Sequence, residues 1–133
     1  MKIAGIDASG SAARGAKLEL LHPVTKAPFT SPSGEPVTIT LLGQDSPQYR
    51  SRFQELVNAN MESRRRKGAI PHDAVEQSAE LLAVCTTDWS GMELEDESML
   101  ECNFDNAKQV FESEAWIREQ ADAFVSDRAN FLR

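Results

Sequence analysis

At 133 residues, 41% hydrophobic and 26% charged, the chain has the make-up of a globular protein, long enough to bury a core without disulfide support. Its apolar runs fall far short of the roughly 20 residues needed to span a bilayer, and its first residues lack the apolar stretch of a secretory signal, so no membrane association and an intracellular setting are expected. A formal charge of −7 weighs against a general nucleic-acid binder.

Residues 1–16 are rich in Gly, Ala and Ser, with Ile3 and Ile6 as the sizeable apolar side chains after Met1, and read as a flexible arm ahead of a single domain over 17–133. Leu18 and Leu20 alternate with Lys17 and Glu19, which predicts a half-buried strand over 17–21. Pro23, Pro28, Pro32, Pro36 and Gly34 then forbid regular ladder pairing and imply a long connection. Val37, Ile39 and Leu41 alternate with Thr38 and Thr40, predicting a second strand over 37–42 that pairs antiparallel with the first.

Gly43 ends that strand, Ser46 can cap a helix, and Pro47 suits its first position, where no amide donor is missed. Tyr49, Phe53, Leu56, Val57 and Met61 form one apolar stripe on a helix over 46–67, which stops at Gly68. Asp73 caps a second helix over 73–87, broken by Trp89-Ser90-Gly91. Residues 92–102 are acidic with Met92, Leu94, Met99 and Leu100 interspersed, and read as a loop or one helical turn. Asn103 or Asp105 caps a short helix over 105–112, and a last helix over 114–131 carries Trp116, Phe124 and Val125 and reaches Phe131. The expected fold is α+β, mainly α: an N-terminal antiparallel β-hairpin packed on a bundle of about four helices.

Charge is unevenly placed. Residues 46–68 carry six Lys/Arg against two Asp/Glu, and residues 73–122 carry two basic against fourteen acidic side chains. Such asymmetry can orient copies of the chain head to tail, so a homo-oligomer is expected. Arg64-Arg65-Arg66-Lys67 complements the negative pole of its helix; it could also meet an acidic protein surface, the acidic half of a neighbouring copy included, or, less readily, nucleic acid.

Catalytic and metal chemistry find little footing. Residues 10–17 lack the Gly-Lys-Ser/Thr ending of a phosphate loop, because Ala16 separates Gly15 from Lys17 and Leu18 follows. His22, His72, Cys85 and Cys102 show no paired-ligand spacing, and the acidic run from Glu93 to Glu97 lacks the alternating oxygen ligands and central Gly of a calcium loop. No catalytic residue, metal or cofactor is expected. Cys85 reads as a small core residue and Cys102 as a partly exposed free thiol. Most of the aromatic residues read as core, with Trp89, beside Gly91, the best candidate for an interface anchor.

Leu20-Leu21-His22-Pro23, residues 38–46 with Tyr49-Arg50, Trp89-Ser90-Gly91, Asn106-Ala107 and Asn130-Phe131 together resemble the tail assembly chaperones of long-tailed bacteriophages. The resemblance covers about residues 18–131. It implies a non-enzymatic phage protein of the infected bacterial cytoplasm, absent from the finished virion, which coats the long helical tape measure protein, keeps it soluble and helps recruit tail tube protein. A virion structural protein (tail terminator or head–tail joining) and a nucleic-acid-linked regulator acting through Arg64 to Lys67 are the alternatives. Partner contact is assigned to Arg64, Arg65, Arg66, Lys67, Trp89, Met92, Leu94 and Met99, and a structural role to Gly43, Ser46, Pro47, Trp116, Phe124 and Phe131.

Overall fold

The computed structural model describes residues 2–65 and 73–132. Their order is α1 (Ala8–Arg14), β1 (Ala16–Glu19), β2 (Thr38–Leu41), α2 (Pro47–Arg65), α3 (Ala74–Cys85), β3 (Thr86–Ser90), α4 (Phe104–Ser113), α5 (Ala115–Ser126) and a 3-10 turn at Arg128–Asn130. This is the α+β, mainly α architecture expected from the sequence, with one more strand and one more helix. No described helix is long and apolar enough to cross a membrane.

β1 and β2 pair antiparallel, Leu18 opposite Ile39 and Ala16 opposite Leu41, so the expected hairpin forms over a slightly shorter span. The expected two-stranded sheet is, however, three-stranded, in the order β1-β2-β3. The helix expected over 73–87 ends at Cys85. Thr86 turns extended, its hydroxyl donating to the Leu82 carbonyl at 2.8 Å, and Trp89 then pairs with Ile39. The physical reason is burial: Ile39 and Leu41 are 0% exposed, and β2 satisfies its backbone on both sides only between two partners. A register shift between Thr40 and Leu41 bulges β3 at Thr87.

The core gathers Leu20, Ile39 and Leu41 from the N-terminal half with Leu82 and Cys85 of α3, Phe111 of α4 and Val125 of α5. Each fully buried Leu, Ile, Val or Phe contributes roughly 1.5–3 kcal/mol relative to exposure. The proline-rich connection folds back along the sheet through backbone bonds from Phe29 to Leu20 (2.8 Å) and from Val37 to Phe29 (3.1 Å), and Phe29 meets Trp116 edge-on at 5.2 Å.

Residues 2–16 hold more regular structure than the arm expected from their composition. Asp7 caps α1 by accepting from the Gly10 amide at 3.0 Å, Ala12 is buried, and the Gly43 amide donates to the Ala12 carbonyl at 3.0 Å. At the other end, the helix expected over 114–131 stops at Ser126. Asp127 accepts from the Ala129 amide, and the chain folds back so that Phe131 meets Phe124 edge-on at 5.5 Å. Gly43, Phe131, Ala12 and Val125 share one corner, which accounts for the structural weight placed on Gly43, Phe124 and Phe131. Ser46 is fully buried and its hydroxyl accepts from the Tyr49 amide at 3.3 Å, while Pro47 is the first residue of α2, as expected.

Candidate functional site

α2 departs from the core helix that its apolar stripe suggests: none of its residues is buried. Tyr49, Leu56 and Val57 are half-buried, and Phe53 and Met61 are 49% and 48% exposed. Tyr49 stacks on Phe53 with ring centroids 6.2 Å apart, and burial, followed by the Asp122 carboxylate and the Cys85 thiol, raises its phenol pKa. The polar side of α2 is tied to α3. Arg52 bridges Glu80 and Glu55 at 3.0 Å each, and Asn60 and Gln77 exchange two amide hydrogen bonds, at 2.7 and 3.3 Å. Lys108 of α4 completes the cluster against Glu76 (3.1 Å), Glu80 (3.4 Å) and Glu112 (3.6 Å). Part of the charge contrast expected to orient neighbouring copies thus joins α2, α3 and α4 within one molecule.

Arg64 and Arg65 lie exposed at the end of α2, whereas Arg66 and Lys67 lie outside the described residues. Arg50 and Arg64 share the side of α2 that carries Phe53, Val57 and Met61, spaced i, i+3, i+7, i+11, i+14 from Arg50. Among the described residues neither guanidinium has an ion-pair partner, which leaves a basic and apolar stripe facing solvent.

The acidic segment after β3 is an ordered hairpin. Glu93 and Met99 bridge, the Leu94 amide donates to Ser98 at 2.8 Å, the Leu100 amide to Met92 at 2.8 Å, and the Glu97 amide to Leu94 at 3.0 Å. Asp96 accepts from both the hydroxyl and the amide of Ser98, which lowers its carboxyl pKa. Trp89 anchors the base: its indole N–H donates to the Leu100 carbonyl at 2.8 Å and its ring packs on the core. Glu93 reaches across to the Ser33 hydroxyl at 3.0 Å, fastening the hairpin to the proline-rich connection. Gly91 holds φ +79° where a Cβ would lie 2.7 Å from the Pro36 carbonyl oxygen, so the turn into the hairpin requires glycine.

The four hairpin residues assigned to partner contact therefore divide. Trp89 and Met92 pack half-buried on the core, while Leu94 and Met99 stand 46% and 54% exposed in the segment that carries Glu95 and Glu97. Leu94 and Met99 share the hairpin, whereas Arg64 lies on α2. On α2, the sequence places Phe53, Val57 and Met61 in the apolar stripe and gives Arg50 no site role, whereas the structure sets all four on this surface. Their exposure is set by tertiary packing, which periodicity does not report.

Among the described residues no group of three or more His, Cys, Asp or Glu is placed to hold a metal. A cleft of about 430 Å³ lined by Arg52, Leu56, Asp73 and Glu80 runs between α2 and α3. Comparison of the chain with protein-family models, curated proteins and solved structures finds no match.

Proposed function

We propose that this chain is a non-enzymatic tail assembly chaperone, which binds and solubilises a phage tape measure protein in the infected bacterial cytoplasm and helps recruit tail tube subunits. The observation that carries the reading is the pair of solvent-facing amphipathic surfaces, the Phe53–Met61 stripe of α2 and the Leu94–Met99 hairpin, each apolar at its centre and framed by one sign of charge. A long amphipathic helix exposes apolar stripes that aggregate unless covered, and surfaces of this kind cover them while their charged rims keep the complex hydrated. Methionine at both surfaces adapts to varied side chains. The resemblance carried by residues 38–46, 89–91 and 130–131 supports the same reading.

Co-expression with a tape measure fragment encoded by the same genome tests it. The fragment is expected in the soluble fraction with the native chain and in the pellet with a Phe53→Ser, Leu94→Ser, Met99→Ser variant whose circular dichroism is unchanged. Equal recovery of the fragment with and without the chain rules the reading out.

A further inference from the structure

The turn between Leu21 and Pro28 is organised around one imidazole. His22 Nδ1 accepts from the Val24 amide at 3.1 Å and from the Thr25 amide at 3.3 Å. The backbone of His22 closes the same turn: its N–H donates to the Ala27 carbonyl at 2.8 Å, and its carbonyl accepts from the Lys26 amide at 3.0 Å. An Asn or Asp side chain plays this part in an Asx turn, and Nδ1 stands one bond beyond Cγ just as their Oδ1 does. Lys26 is held at φ +62°, a conformation uncommon outside glycine, with its ammonium on the Pro23 carbonyl at 3.1 Å.

A ring nitrogen that accepts from two amides carries a lone pair there, so this imidazole is neutral with its proton on Nε2. A proton added to Nδ1 turns the acceptor into a third donor facing two others, and both bonds are lost. The surroundings do not offset that loss. Among the described residues no carboxylate lies within ion-pair distance of His22, and Lys26 places a second cation in the same turn. Phe29, its ring centroid 6.1 Å from that of the imidazole, is neutral. On the α5 side the chain meets neutral Gln120 and Trp116, and the Glu114 carboxylate already accepts the Trp116 indole N–H at 3.2 Å.

Both flanks of the turn are fastened without His22. The Gln120 side chain exchanges two bonds of 2.9 Å with the Leu21 backbone, and the Phe29 amide donates to the Leu20 carbonyl. Loss of the imidazole bonds therefore frees the residues between these anchors and leaves the anchors in place.

We infer that residues 22–27 form a pH-operated turn, closed while His22 is neutral and released when Nδ1 takes up a proton in mild acid. The device uses none of the residues assigned to the client, so it stands or falls separately from the chaperone reading.

Nitrogen-15 relaxation of the full chain between about pH 8 and about pH 5.5, the range in which histidine changes charge, tests it. Order parameters of the Val24, Thr25 and Lys26 amides should fall from about 0.85 to below about 0.6, in step with the titration of the His22 ring, while far-ultraviolet circular dichroism stays constant. The chain has two histidines, and the ring signal lost in His22→Asn identifies the right one. His22→Asn keeps an acceptor that does not titrate, so its turn should stay ordered at both pH values. His22→Ala removes the acceptor and should be loose at both. A native turn that stays ordered in acid, one already loose at about pH 8, an Asn variant that loosens in acid as the native chain does, or an Ala variant as rigid as the native chain would each overturn the inference.

Discussion

Cys85 joins α3 to β3 at 0% exposure, and burial pushes its thiol pKa from 9.0 up to about 12. The folded chain therefore keeps a proton that the unfolded chain releases near pH 9. The associated stability is complete below about pH 9 and is lost as pH rises towards about 12, at up to about 1.4 kcal/mol per pH unit. Between about pH 8 and about pH 10.5 the native protein should lose about 1–2 kcal/mol more unfolding free energy than Cys85→Ala, measured by urea titration. Equal losses would show that the thiol is not held neutral. Further along, at Trp89 and Gly91, the chain depends on hydrogen-bond and backbone chemistry instead. Trp89→Phe keeps the packed ring and removes one hydrogen bond, to Leu100; it should cost about 1 kcal/mol and raise amide exchange in residues 92–100. Gly91→Ala meets both a positive φ and the Pro36 carbonyl, and should cost more, about 2–3 kcal/mol in the same titration.

At the level of elements, α2 is held to α3 mainly by polar contacts. Arg52 and Glu80 are 31% and 18% exposed, and Glu80 keeps Lys108 when Arg52 is removed, so a double-mutant cycle on Arg52 and Glu80 should return a coupling under about 1 kcal/mol that shrinks in salt. A much larger coupling would place α2 inside the core after all. The elements whose signals are local were legible in the sequence: alternation marked β1 and β2, Ser46 and Asp73 marked helix starts that the structure caps as expected, and of the two candidates Asn103 and Asp105 it is Asn103 that caps α4. β3 was not, because Thr86 to Ser90 follow an apolar helix with no Gly or Pro between, and only the unfilled edge of β2 makes them a strand. α1 was hidden by its own composition, since Gly, Ala and Ser read as flexible until Ala12 finds a surface to dock on. The half-exposed stripe of α2 has the same periodicity as a buried one, and only the tertiary structure distinguishes them. Leu94 and Met99 sit in a hairpin whose own backbone bonds are local, but the bonds that fasten it to the rest of the fold, from Trp89 to Leu100 and from Glu93 to Ser33, join residues 11 and 60 apart and leave no local signal in the sequence.

Across the whole molecule, segments far apart in the chain converge on Gly43. Its amide bonds the Ala12 carbonyl, the next amide bonds the Val125 carbonyl at 3.2 Å, and a Cβ at Gly43 would lie 2.9 Å from the Ala12 Cβ and 3.1 Å from the Phe131 ring. Glycine is required here for space, because α1, the start of α2 and the end of α5 close on one another through this residue. Gly43→Ala should therefore cost about 1–3 kcal/mol by overpacking a site bounded on one side by a ring that can shift and on the other by a helix backbone that cannot easily do so. The two sides can be separated. Ala12→Gly alone should cost about 1 kcal/mol, mostly from the helix propensity of α1. In the Gly43→Ala background the same change removes the closest atom to the new methyl, so it should cost less than it does alone or even restore stability, a favourable coupling of about 1 kcal/mol. Simple additivity in urea titrations would mean that the strain falls on Phe131 alone and that α1 yields freely, making residues 8–14 a loosely attached element and not part of the joint that links both ends of the described chain to the sheet.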